Sequence, residues 1–114
     1  MNDITASTEF IAVDPTGDQQ TVTIEVAKPY RVDKNEYACP ISMKGLLDDL
    51  SPIRGGDSFQ ALALALGFIR HQLRVYHNIM GYRYILPGSP CDPKFFFRPD
   101  EIWFQQLGDQ QPEK

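Results

Sequence analysis

The chain has 114 residues, of which 42% are hydrophobic and 23% charged, as in one globular domain rather than a disordered chain. Its net charge of −4, from 15 acidic and 11 basic residues, argues against nucleic-acid binding, because phosphate recognition needs a basic face. No apolar run approaches the ~20 residues that span a bilayer, and the N-terminus lacks a signal-peptide pattern. We expect a single cytoplasmic domain over residues 1–114, ordered over about 8–107, with loose tails.

Cysteine and histidine usage gives no sign of a metal or redox centre. Cys39 and Cys91 lack CxxC spacing, and two cysteines are too few for a secreted disulfide framework, so both are interpreted as reduced thiols. His71 and His77, six residues apart on a predicted helix, point in different directions and cannot easily share a metal ion. The sequence therefore predicts no cofactor, no metal site and no catalytic residue, although it does not exclude an enzyme.

The first half of the chain predicts a hairpin followed by shorter strands. Thr8 to Val13 is predicted as a first strand and Gln20 to Lys28 as a second, in which apolar and polar residues alternate. A Pro- and Gly-containing turn separates them. A third strand is predicted from Glu36 to Lys44, where Pro40 implies an edge position, a bulge or an outward-pointing missing donor. A short fourth strand is expected around Ser51 to Gly55.

A long helix is the clearest predicted element. Asp57 or Ser58 can cap its N-terminus, and Gln60 is placed to reach back as in a capping box. Spacings of three and four residues predict one apolar seam, made of Phe59, Leu62, Leu66, Ile69, Leu73, Tyr76 and Met80. Gly81 suits a left-handed residue after the helix. The stretch Ala61–Leu66 is apolar all round, so it needs cover on two sides.

Beyond the helix, Tyr82 to Leu86 predicts a fifth strand, and a Pro-rich loop follows. Pro99 can begin a short C-terminal helix that extends through Leu107. The predicted fold is therefore α+β: an antiparallel β-meander of four to five strands packed against one long helix, with a short C-terminal helix. An aromatic arm at the C-terminus is expected to cover the other flank of the long helix.

The segment Gly56-Asp57-Ser58-Phe59-Gln60-Ala61-Leu62, with Leu64 to Leu66 after it and Cys39-Pro40-Ile41 before it, resembles a small bacterial family of unknown function. In that family several strands precede a G-x-D-S-x-Q-A-L helix start. The similarity covers roughly residues 8 to 80. It implies the same strands-then-helix fold and a bacterial cytoplasmic source, and it implies no activity, ligand or catalytic residue.

Two surfaces of the predicted helix are candidate binding sites. Arg70, Arg74 and His77 share one face, within a stretch from Ser58 to Pro99 that carries five basic residues and one acidic residue. This face is either a solvated helix surface or a site for an acidic protein or a small anion. Ala63 and Gly67 form a small-residue surface four residues apart, which together with Phe96, Trp103 and Phe104 of the arm is a candidate self-association surface.

These observations favour a non-catalytic protein-interaction module, with a homodimer or an acidic protein as the expected partner. The alternative is a small-ligand-binding protein or minor enzyme, with a pocket between the long helix and the C-terminal arm. A structural subunit of a larger assembly is a third hypothesis. Neither nucleic acid nor a membrane is expected as a partner.

Overall fold

The computed structural model describes residues 3–86 and 96–99. Within them the chain forms eight strands and one helix: β1 (Ile4–Val13), β2 (Gln19–Ala27), β3 (Tyr30–Asp33), β4 (Glu36–Cys39), β5 (Ile41–Lys44), β6 (Ile53–Gly55), α1 (Ser58–Asn78), β7 (Arg83–Ile85) and β8 (Phe96–Phe97). The strands make a five-stranded sheet in the order β5-β2-β1-β7-β8 and a three-stranded sheet in the order β3-β4-β6. All of their pairings are antiparallel.

The predicted α+β class, antiparallel strands around one long helix, is confirmed. The strand arrangement differs from a simple meander, because the predicted third strand is two strands that belong to different sheets. The chain leaves the small sheet after Cys39 and enters the large sheet at Ile41, and Pro40 between them accepts a hydrogen bond from Ala27 at 3.0 Å. A proline has no N–H for a continuous ladder, so the break falls there. The predicted helix from Pro99 to Leu107 lies outside the described residues, apart from Pro99.

The β1–β2 hairpin is confirmed, and its turn is closed by side-chain hydrogen bonds. The Asp14 carboxylate accepts from the Thr16 hydroxyl at 2.6 Å and from the backbone N–H groups of Thr16 and Asp18 at 2.9 and 3.1 Å. These bonds, that of the Thr16 hydroxyl first, lower the pKa of Asp14. Gly17 supplies the positive φ of 94° that closes the turn.

The helix begins as the sequence predicts. Asp57 is the N-cap, and its carboxylate accepts from the Gln60 N–H at 2.8 Å. The Gln60 side chain in turn accepts from the Gly56 N–H, which makes a reciprocal capping arrangement. At the other end, Gly81 has a φ of 78°, and the Tyr82 N–H donates to the Tyr76 carbonyl at 2.9 Å.

Candidate interaction surface

The buried face of α1 is built from small residues in its first half and from large ones in its second. The fully buried residues are Ala61, Ala65, Ile69 and Leu73. The expected apolar seam is therefore only partly correct, because Phe59 is 78% exposed and Met80 is 46% exposed. Leu62 and Leu66 are half-buried beside this face. The apolar positions of this helix exceed what its covered side can hold.

Small residues let the first half of the helix approach the small sheet closely. A Cβ atom on Gly55 of β6 would lie 2.5 Å from the backbone nitrogen of Ala61, closer than any ordinary contact. Glycine at this position and alanine at Ala61 thus bring strand and helix backbones together. This half of α1 is held against β6.

The second half of the helix is covered by the large sheet. Tyr84 on β7 is fully buried, and its hydroxyl donates to the Leu73 carbonyl at 2.8 Å. Its ring packs edge-to-face on Phe10 at 5.2 Å between centroids, and Phe97 lies 5.9 Å away. Burial raises the pKa of Tyr84 well above its ordinary value. This end of the core is densely packed and aromatic.

An apolar groove of about 320 Å³ separates α1 from the first part of β1. Leu66 and Ile69 of the helix form one wall, and Ala6 and Thr8 of β1 form the other. Both β1 residues are exposed. The residues paired with them on β2, Val26 and Ile24, are buried. Residues that line the groove or border it on the helix are together named the open flank: Ala6, Thr8, Phe59, Leu62, Ala63 and Leu66.

The structure places Ala63 next to this groove and Gly67 just beyond it on the helix. Helical residues advance by about 100°, so Phe59, Ala63 and Leu66 share one side of α1. Ala63 and Gly67 are both exposed, and a Cβ added to Gly67 would meet nothing within 4 Å. No described residue therefore explains why glycine stands in the middle of this helix.

The predicted basic face is half-buried rather than fully solvated. Arg70, Arg74 and His77 each have intermediate exposure, and both arginines make interactions within the protein. The Nδ1 atom of His77 lies 2.7 Å from the Tyr82 carbonyl oxygen, which can only accept, so Nδ1 donates. His77 thus helps to close the end of the helix. Recognition of an acidic partner by this face stays a prediction.

The aromatic arm is described only in part. Phe96 pairs with Ile85 in the large sheet and is half-buried. The guanidinium of Arg83 lies 4.4 Å from the centre of its ring, a cation–π contact. Trp103 and Phe104 lie outside the described residues, so their predicted part in an interface stays a prediction.

Side chains that could react or bind a metal ion are scattered in the described part of the chain. Cys39 is a buried free thiol whose Sγ lies 3.4 Å from the Ala27 carbonyl oxygen, and burial raises its pKa. Among residues 3–86 and 96–99, His, Cys, Asp and Glu form no group of three that could hold a metal ion. Cys91 lies outside the described residues.

A second depression, the crossover cleft, lies where the chain passes between the two sheets. It has a volume of about 690 Å³ and is lined by Asp3, Lys28, Pro29, Tyr30, Pro40, Ile41, Leu50 and Pro52. Three prolines and an exposed Tyr30 make its wall mostly rigid and apolar. This cleft is not the predicted pocket between helix and C-terminal arm.

The architecture defines a small α+β domain in which two antiparallel sheets enclose one face of a single helix. The chain belongs to a family described as Domain of unknown function (DUF6968), which it matches over residues 8–83. That match spans the hairpin, the small sheet, the capped helix and the start of β7, and it confirms membership of a small family of unknown function. No curated protein and no solved structure is similar to the chain.

A search of the described residues finds no helix with the length and apolar character to cross a membrane. The predicted cytoplasmic location is a separate matter and stays a prediction.

Proposed function

We propose that this protein is a non-catalytic interaction module of a bacterial cytoplasm and that it associates with a second copy of itself through the open flank. The observation that carries the proposal is the apolar surface left beside α1. Phe59 is 78% exposed at the start of the helix, and two turns further along Leu66 lines an apolar groove together with Ala6. Exposed apolar surface of this kind is typical of interaction sites.

The chemistry of the open flank fits a protein surface better than a small polar ligand. The groove lining is apolar apart from the hydroxyls of Ser7 and Thr8. Such a lining offers no charged group to orient a small anion or cation. It favours side chains supplied by another folded surface, where burial of an aromatic such as Phe59 contributes a large share of the binding energy.

Solution mass measured by light scattering tests this proposal. We expect a concentration-dependent dimer for the wild type and at least a ten-fold weaker dimer for Ala63→Glu, because the new charge would be desolvated in the interface. The matched control is His71→Glu, which puts the same charge at an exposed position about two turns further along α1. Circular dichroism confirms that both variants keep the helix. A wild type that is monomeric at every concentration would contradict the proposal.

The alternative, a small-ligand-binding protein, is supported by the crossover cleft alone. Its volume of about 690 Å³ lies in the range of ligand pockets. Its charged lining residues are Asp3 and Lys28, and the backbone N–H of Lys28 donates to the Asp3 carbonyl at 2.9 Å. These polar groups do not converge on one point. The cleft therefore supports ligand binding less strongly than the open flank supports self-association.

A further inference from the structure

The large sheet has a long unpaired edge in its middle strand. On one side β1 pairs with β2 from Ile4 to Val13, while on the other side β7 covers only Ile11 to Val13. Within the described residues the six residues from Ile4 to Glu9 therefore have no strand on that side, and all six are exposed. We name this segment the free edge. No strand of the described residues pairs with its backbone N–H and C=O groups on that side, and groups of this kind can pair with an added strand.

Two other edge strands, β3 and β5, are short and carry charges or a covering segment. β3 is four residues long and carries Arg31 and Asp33. β5 is also four residues long, and Leu47 bridges to it at Met43. Short length, charges and covering segments are the usual means by which proteins block edge pairing. The free edge, with the sequence Ile-Thr-Ala-Ser-Thr-Glu, has no proline, no lysine and a single charge at its end. Its register with β2 is irregular between Ile4 and Ala6 and regular from Ala6 to Glu9.

We propose that two copies of this chain pair β1 with β1, antiparallel, along the free edge, and so join their large sheets into one continuous sheet. This inference rests on the proposed self-association and specifies how it occurs. Strand addition of this kind takes its affinity from backbone hydrogen bonds and its specificity from the side chains beside the edge. Here those side chains are the open flank.

Symmetry explains why a second copy fits this edge. A two-fold axis that relates adjacent antiparallel strands stands perpendicular to the sheet, so both helices lie on the same side of the joined sheet. Residues that are directly opposite in an antiparallel pair point to the same side of the sheet. The axis must therefore pass beside a residue, which can be Ala6 or Ser7. With the axis at Ser7, Glu9 of one copy faces Thr5 of the other, so two carboxylates do not meet.

The same arrangement buries surface that the described residues of one chain leave open. Ala6 and Thr8 point into the groove beside Leu66, and a strand added at the free edge would continue that wall. Backbone pairing over six residues alone buries less surface than the roughly 800 Å² per partner that is typical of a stable interface. The helix side of the open flank supplies the remainder, since the helices of both copies lie on the same side of the joined sheet and Leu66 of each borders the groove.

Disulfide trapping tests the geometry directly. In a Cys91→Ser background, where the buried Cys39 stays protected, we expect Ala6→Cys or Ser7→Cys, whichever lies on the axis, to form a cross-linked dimer under mild oxidation. The matched control is Thr21→Cys, an exposed residue one strand further in on β2. It should remain monomeric on a non-reducing gel. Cross-linking of the control to the same extent, or of neither edge variant, would overturn the proposed pairing.

An edge charge separates this inference from the broader proposal. Ser7→Lys puts two lysines beside the axis and should raise the dimer dissociation constant at least ten-fold, whereas Thr21→Lys should leave it unchanged. A dimer weakened by Ala63→Glu but not by Ser7→Lys would overturn β1 pairing and leave self-association through the helix standing. A wild-type monomer would overturn both. A monomer that dimerises only with Trp103→Ala would identify the chain's own C-terminal segment as the occupant and overturn the second copy.

Discussion

The two halves of α1 meet the rest of the protein in different ways. In the second half, Leu73 is fully buried, and its carbonyl oxygen accepts a hydrogen bond from the Tyr84 hydroxyl. In the first half, the buried residues are Ala61 and Ala65, while Phe59 and Ala63 stay exposed. Small residues let the helix sit against β6 of the small sheet, and this leaves the start of β1 uncovered. Within the described residues, one helix thus has a closed end, which the large sheet covers, and an open flank, which stays partly exposed.

Truncating one leucine at the closed end of α1 and one at the open flank should give the largest difference in the free energy of unfolding. Leu73→Ala should lower the free energy of unfolding by about 2–5 kcal/mol, because it leaves a cavity in a closed core. Leu66→Ala should cost roughly 1 kcal/mol, since Leu66 is only half-buried and borders an open groove. Urea unfolding at low protein concentration, followed by circular dichroism, measures both. Equal losses would contradict the distinction between closed and open halves.

The same glycine-to-alanine change should have opposite signs at two positions. Gly55→Ala should destabilise the protein by about 1–3 kcal/mol, because its Cβ would be forced against the backbone of Ala61. Gly67→Ala should stabilise it by about 0.5–1 kcal/mol, because its Cβ enters open space and alanine favours the helix.

Thermal unfolding of the two glycine variants, compared with wild type, measures both changes. If Gly67→Ala were also destabilising in the monomer, the helix would be more tightly covered there than the structure indicates.

Removing the N-terminal cap of α1 should lower the free energy of unfolding by less than the Leu73→Ala change does. Asp57→Ala deprives the Gln60 N–H of its partner and should cost about 1 kcal/mol. Asp48→Ala removes an exposed carboxylate elsewhere and should change stability by less than about 0.5 kcal/mol. Chemical denaturation followed by circular dichroism compares the two. A cost for Asp57→Ala no larger than that of the control would show that the capping bond contributes nothing.

The closed core should also respond to alkaline pH. Burial raises the pKa of Cys39 above its unfolded value, so the folded state favours the neutral thiol. Its contribution is present below the unfolded pKa of about 8.5 and is lost as pH rises toward the folded pKa. Stability should therefore fall above about pH 8.5, by at most about 1.4 kcal/mol per pH unit for this one group.

Cys39→Ala should flatten that alkaline decline, whatever its effect on stability at neutral pH. Denaturant unfolding at pH 7, 8.5 and 9.5 provides the comparison, with Cys91→Ser as the control thiol. An unchanged slope in Cys39→Ala would assign the decline to other groups.

Local patterns predicted the elements whose signals are contained in a few neighbouring residues. The Asp14 turn, the Asp57 cap and the positive φ at Gly81 follow from the conformational preferences of single residues, and all are present in the structure. The strand from Tyr30 to Asp33 was not predicted, because its four residues are all exposed and show no buried alternation.

The groove was also not predicted, for a different reason. Thr5, Ser7 and Thr8 give a weak apolar pattern, so the first strand was expected to begin at Thr8 instead of Ile4. A signal was available in the β-branched residues of this segment, Ile4, Thr5 and Thr8. Nothing local indicated that these residues would lie beside Leu66, which is about sixty residues away in the chain.

By itself the sequence determined the α+β class, the β1–β2 hairpin, and the start and end of the long helix. These features depend on periodicity, capping and turn chemistry, which act over a few residues. Only the tertiary structure decided that Pro40 separates two sheets and that Ala61 and Ala65, rather than Phe59, face the core. The physical reason is that the side of a helix that becomes buried depends on which strand comes closest, and the contact between Gly55 and Ala61 is made only on folding.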